Sequence, residues 1–463
     1  MRLFRPTAHA KCGNKSPHSK QLTAPTGNIL KSAGNTMTHT SGCQSPDHAV
    51  SRRQMLGGLA GAAGSLSLVD LMQPVLGEEL SRQQKQVLLV FNDGGMSQYE
   101  SWDPKPGSEF GGPYRAIPTS VPGTHVSELL PHTSQQMHHL ALVRSLNTKN
   151  PSHGSRAQAF DGEPKNRGVK YPTIGPALAR FVHQPNSPLP PCVLVKPYSG
   201  GFDYKAAGFL GPSWGVLQLG EGQPPAHMQR PESVTDTADV RRNRFRELAN
   251  DRFAAGRRTA ETSAYAHSFG MAEQLMRRRD LFDESKILVR DLERYGTHKH
   301  GRHMLLARRL LEADVSFVEI RSYHWDTHSS NFDLHYTMMS GFDQPFAALI
   351  EDLAVSGRLE HTLVIVLSEF GRTPKVNVGL GRDHWPQAWS MCLAGCGIKG
   401  GSVHGKTNDR GTWVDDGQVG YADLFHTYFR ALGLDSYTTE YNNGGQPLPV
   451  ADHDAGPIST VLV

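Results

Sequence analysis

The apolar positions of this chain follow two periods. Short apolar runs bounded by Gly, Asn, Asp or Pro occur at Gln86–Phe91, Leu140–Ser145, Pro191–Val195, Val315–Ile320, Thr362–Leu367 and Trp389–Gly395. Such runs are typical of strands covered on both faces, as in a parallel sheet. Between them the period lengthens to that of a helix. Charged and apolar residues alternate at helical spacing through Val240–Arg257 and Met271–Tyr295, and His303–Glu312 is strongly amphipathic. The segment from about Leu334 to Val355 sets Met338, Phe342, Phe346, Leu349, Ile350 and Leu353 on one face, with Gly357 as its stop. Tyr421–Leu432 is a last helix, ended by Gly433. Residues 196–235 are rich in Gly and Pro and read as an irregular insertion. Strand–helix–strand alternation predicts an α/β fold with a mostly parallel central sheet covered by helices.

The first 77 residues break this pattern. Arg52-Arg53 precedes a weakly apolar run of small residues, Gly57–Val69, which resembles a twin-arginine (Tat) export signal. The expected organisation is a leader at 1–77 and one large domain at 78–463, in the periplasm or outside the cell. The leader also distorts the charge. The whole chain carries a formal +4, but residues 1–77 hold 8 Lys/Arg and 2 Asp/Glu, leaving 40 and 42 beyond, a net of −2. A near-neutral domain gives no case for nucleic-acid binding. No stretch outside the leader is apolar over the length of a membrane span. The five cysteines form no CxxC pairs: Cys12 and Cys43 lie in the leader, Cys192 sits in an expected strand, and Cys392 and Cys396 are bridged or free. No haem CxxCH motif is present.

The candidate chemistry gathers where expected strands end. In parallel sheets, ligands bind beyond the carboxyl ends of the strands. Asp93 follows the first strand, Trp325-Asp326-Thr327-His328 follows the run to Ile320, and Glu369 follows Leu367. Asp326 and His328 are two apart, so in an extended segment both project the same way and reach one ion. His384 follows on a loop that must fold back. Oxygen and imidazole donors without thiolate suit one or two divalent ions: Zn, Mn, Mg or Ca. Asp93, Asp326, His328, Glu369 and His384 are the expected ligands. Arg372 and Arg382 are candidates to stabilise developing negative charge.

These motifs carry a resemblance. Trp325–His328, Ser368–Pro374, Gly381–His384, Ala394–Gly401, Gly94–Ser97, Asp103–Pro106 and Ala307–Leu310 are similar to the bacterial domain-of-unknown-function family 1501, over about residues 85–460. That family is placed in the alkaline phosphatase and sulfatase-like superfamily. The resemblance implies a three-layer α/β/α sandwich with a two-metal site, in which an Asp after the first strand binds metal and a hydroxyl nucleophile opens a following helix. Ser155 in Ser152-His153-Gly154-Ser155 is the matching hydroxyl, with Ser152 behind it and His153 as ligand or general acid. Two departures stand out. The sulfatase signature, Cys or Ser with Pro two and Arg four residues later, is absent, which argues against a formylglycine sulfatase. Glu369-Phe370 stands where an Asp-His pair is usual. The function expected is hydrolysis of phosphate or related esters, sulfate included, on a small molecule or polysaccharide. The alternative is a non-catalytic exported protein of the same fold that binds a carbohydrate, an envelope component or a protein partner.

Overall fold

The computed structural model describes residues 84–463, apart from 163–167, 185–186, 188, 224–229 and 256–259. The twin-arginine leader therefore lies outside the described residues. Nine strands form one sheet: β1 (Gln86–Asn92), β2 (Leu140–Leu146), β3 (Cys192–Lys196), β4 (Gly201–Asp203), β5 (Val216–Gly220), β6 (Phe317–Ser322), β7 (Thr362–Leu367), β8 (Trp389–Gly395) and β9 (Val403–His404). Their order is β9-β2-β8-β7-β1-β6-β3-β5-β4. Strand β1 lies at the centre, parallel to β7 on one side and β6 on the other, and β6 continues parallel into β3 and β5. Only β8 and β4 pair antiparallel with their neighbours. All seven residues of β1 and all six of β7 are buried. This explains why both read as unbroken apolar runs rather than alternating ones.

The alternation of side chains along β1 divides the interior in two. Val87, Leu89 and Phe91 face a core with helices α2 (Ile174–Val182) and α7 (Tyr421–Ala431), whose Leu178, Leu424 and Phe425 pack there. Leu88 and Val90 face the other core, with Leu310 of α5 (Lys299–Glu312) and Leu349, Ile350 and Leu353 of α6 (Asn331–Val355). Helices on both faces of a mostly parallel sheet make the α/β/α sandwich that the sequence implied. Each buried Leu or Phe of these cores contributes about 1.5–3 kcal/mol of transfer free energy.

Two expectations change. The segment 196–235 is not simply irregular, since β5 and β4 extend the sheet there and the Val216–Leu219 run supplies buried positions. The helix expected over Met271–Tyr295 breaks: α4 (Ala260–Arg277) ends, short 3₁₀ turns follow, and a separate helix covers Val289–Tyr295. Asp283 accepts from both the backbone N–H and the hydroxyl of Ser285, a local bond that competes with the helical one. Cys192, Cys392 and Cys396 are all free and buried. Among the described residues, no helix is long and apolar enough to cross a membrane.

Candidate metal centre

The three central strands β7, β1 and β6 end on the same edge of the sheet. Beyond β6, residues 325–328 alternate strictly: Trp325 and Thr327 are buried, Asp326 and His328 exposed. Trp325 anchors the segment by donating its indole N–H to Ser322 Oγ at 3.1 Å, and the Thr327 hydroxyl donates to Asn331 Oδ1 at 2.7 Å. With the inward positions fixed, Asp326 and His328 share the outward face. A hairpin of Gly371–Val376 and Arg382–Trp385 then folds back and returns His384 to the same place. Gly94 makes room for this, with φ near +120°. A Cβ there would lie 2.5 Å from the Asp326 nitrogen.

Three imidazoles surround the Asp326 carboxylate. His328 Nε2 and His384 Nε2 each lie 3.0 Å from Asp326 Oδ1 and 3.0 Å from one another. His153 Nε2 lies 3.3 Å from Asp326 Oδ2. The far nitrogen of each ring faces an acceptor: His328 Nδ1 the Asp383 carboxylate at 2.7 Å, His384 Nδ1 the Pro151 carbonyl at 2.6 Å, His153 Nδ1 Glu369 Oε1 at 2.9 Å. A ring that keeps a single hydrogen on Nδ1, toward Asp383, Pro151 or Glu369, turns an Nε2 lone pair on Asp326. In that tautomer the Nε2 atoms and the Asp326 carboxylate offer a cation a shared set of donors. Ligands about 2.0–2.1 Å from a tetrahedral ion stand about 3.3 Å apart, close to the spacing here. The ligand atoms of His153, Asp326 and His384 all lie within 4.8 Å of one another. The residues therefore fit a divalent metal, with Asp383, Pro151 and Glu369 orienting the rings from behind.

Electrostatics favour a charged carboxylate. Partial burial opposes ionisation of Asp326, but Arg372, hydrogen-bonded to its Oδ1 at 2.5 Å, is the chief influence that holds its pKa at about 2. Burial lowers the pKa of His384, keeping it neutral and able to ligate. The Asp383 carboxyl is held below its usual range, first by its bond to His328. Phe370 stacks on the His384 ring, centroids 4.1 Å apart, and shields that side.

A second, buried compartment adjoins the first. Glu369 is wholly buried, and both its oxygens accept from the Gly94 N–H at 3.1 Å. Asp93 is 6% exposed and pairs with Arg156, on helix α1 (Ser155–Asp161), whose guanidinium also reaches Glu369 Oε1 at 3.4 Å. Burial first, then the Glu369 charge, push the Asp93 pKa up to about 6, against Arg156.

The expected site residues thus separate into groups. Asp326, His328, His384 and His153 converge. Asp93 and Glu369 stand in the adjoining compartment, Glu369 behind His153. Arg372 and Arg382 are both fully buried, and their donors, Arg382 Nε excepted, are committed to the chain itself. Arg372 bonds the Gly94, Gly95 and Arg382 carbonyls as well as Asp326, so it positions Asp326. Arg382 bonds Glu100 at 3.2 Å and the Phe110, Thr373 and Pro374 carbonyls, against the Tyr99 and Phe332 rings. Ser155 is also fully buried, its hydroxyl donating to the Glu369 carbonyl at 3.3 Å. Ser152 is exposed and donates to Asn150 Oδ1. Sequence reasoning missed Arg156, whose signal was a cation directly after the candidate hydroxyl. It also passed over Asp383, which holds His328 and accepts from Asn377 at 3.1 Å.

Residues 84–462 match the family described as "Protein of unknown function (DUF1501)". No curated protein matches the chain. Solved structures to which it is similar include the PsFucS1 sulfatase from Pseudoalteromonas sp., at 13% identity and TM-score 0.33 over 80% of this chain and 72% of that one. Others are a protein in the alkaline phosphatase superfamily from Vibrio parahaemolyticus, at 11% and 0.34 over 76% and 67%, and the phosphonate monoester hydrolase of Agrobacterium radiobacter, at 13% and 0.32 over 82% and 77%. Matched over the greater part of its length, the chain belongs to the DUF1501 family.

Proposed function

We propose that this chain is an exported metal-dependent hydrolase of phosphate or related esters, sulfate esters among them, carried on a small molecule or a polysaccharide. One observation carries the proposal: three imidazole Nε2 atoms gathered within 3.3 Å of the Asp326 carboxylate, each ring held from behind by an oxygen acceptor. Asp326, His328, His384 and His153 would hold the ion. A divalent cation there polarises an ester oxygen and makes water a stronger nucleophile. His153 is the most adaptable of the four, since its side chain is 42% exposed at the mouth of the site. Backed by Glu369, it can ligate or move a proton to the leaving oxygen. Arg156, about a third exposed, is the cation able to meet the anionic end of the ester. With Ser155 buried, water is the attacking group.

Elemental analysis of the purified chain, followed by a phosphate- and sulfate-ester panel with Zn, Mn, Mg and Ca, tests this. Bound metal and ester hydrolysis lost together in Asp326→Ala are expected. Metal-free protein inactive with every ion contradicts it. The burial of Ser155 favours a second reading, a non-catalytic exported protein of the same fold. Ligand binding that persists without metal and survives Asp326→Ala marks that alternative.

A further inference from the structure

The buried compartment beside the imidazoles holds two acids that could take a second ion. Asp93 leaves β1 and Glu369 leaves β7, which are neighbours in the sheet. Several features argue that no second ion enters. The Arg156 guanidinium lies between the two acids, paired with Asp93 Oδ1 and 3.4 Å from Glu369 Oε1. Glu369 is already committed, since both its oxygens accept from the Gly94 N–H and Oε1 also faces His153. The next residue, Phe370, brings no donor and is itself fully buried against the His384 ring. Another guanidinium that acts on Asp93, Arg321, is occupied by Glu319 at 2.5–2.9 Å. Two carboxylates, one largely spent, whose neighbouring imidazole His153 turns its Nε2 to Asp326 instead, make a poor cage for a divalent ion.

We infer that the centre is mononuclear and that Arg156 stands in the second cation position, where it meets the anionic oxygens of the substrate. The inference rests on the hydrolase proposal and adds the number of ions and the group that replaces one of them. The helix supports it. Gly154 and Ser155 open α1, so Arg156 sits in the first turn, and its chain reaches back over the end of β1. A third of the side chain is open to solvent at the mouth of the site, while Nε is buried with no hydrogen-bond partner. A guanidinium so held keeps one face on its acids and offers the other to a tetrahedral anion, which it matches in shape. A built-in cation cannot be removed by chelator, so the metal dependence of this site should saturate at one ion.

The test uses the full chain, stripped with chelator and titrated with Zn²⁺ by calorimetry, with elemental analysis as a check. One tight equivalent is expected in the wild type and in Arg156→Ala, and none in Asp326→Ala. Two tight equivalents in the wild type, one of them lost in Asp93→Asn, overturn the inference and leave the metal reading intact. No tight equivalent overturns the metal reading itself. Inorganic phosphate is the second probe. Its affinity for the zinc-loaded protein is expected to fall at least about tenfold in Arg156→Ala, the loss of a charge-assisted hydrogen bond, and to recover in part in Arg156→Lys. Unchanged phosphate affinity in an Arg156→Ala protein that melts cooperatively overturns the substrate-facing role.

Discussion

The two compartments at the end of the central sheet use the same residue types to opposite ends. Around Asp326 three imidazole Nε2 atoms gather at a partly exposed carboxylate, while Asp383, Pro151 and Glu369 hold the far nitrogen of each ring. Around Asp93 the acids are buried, and their charge is met by Arg156 from within the chain. The first arrangement is incomplete without a cation; the second carries its own. Ligand-type residues therefore do not define a metal site by identity. What distinguishes the two is where the hydrogens are held and whether a guanidinium is already in place.

The comparison can be broken most sharply at Asp326. Asp326→Ala should remove the bound metal and lower ester hydrolysis on the order of 10³-fold, about 4 kcal/mol of transition-state stabilisation. It also strands the buried Arg372, so Asp326→Asn should accompany it, and metal content by elemental analysis is the readout. Next comes Asp93. Its carboxyl titrates near 6 rather than its ordinary 3.8, chiefly through burial. An acid with a raised folded-state pKa holds its proton more tightly when folded. Metal-free protein should therefore lose stability as pH rises from about 4 through about 6, by about 3 kcal/mol. Asp93→Asn should flatten that slope in denaturant unfolding; a slope of the opposite sign contradicts the assignment.

A smaller effect separates orienting residues from ligands. Asp383→Ala leaves His328 in place but frees its Nδ1, and zinc affinity should fall roughly 10–100-fold with little change in melting temperature. Smallest of all, Ser155→Ala should cost about 1 kcal/mol of stability, the worth of one hydrogen bond, and leave kcat within about tenfold. Loss of all activity in a stable Ser155→Ala protein would restore that hydroxyl as the nucleophile.

The central strands were legible because burial on both faces writes them as uninterrupted apolar runs, and α5 and α6 because each buries one stripe. Strands β4 and β5 were not, being short strands set among Gly and Pro, with β4 at the edge of the sheet. In the site, the two-residue spacing of Asp326 and His328 was readable because an extended segment repeats every second residue. His384 was readable from the resemblance. The roles of the arginines were not, since they depend on distant carbonyls. Arg382 finds Phe110 and Glu100, more than 270 residues away in sequence. Arg156 and Asp383 escaped for the same reason, as nothing local tells an ion pair from a substrate contact.

Anomalous scattering at the zinc edge, from crystals grown with Zn²⁺, decides most directly whether the imidazoles and Asp326 form a metal centre. One peak about 2 Å from the Nε2 atoms of His328 and His384 and beside the Asp326 carboxylate is predicted. Electron density with those side chains ordered and no peak among them would contradict it.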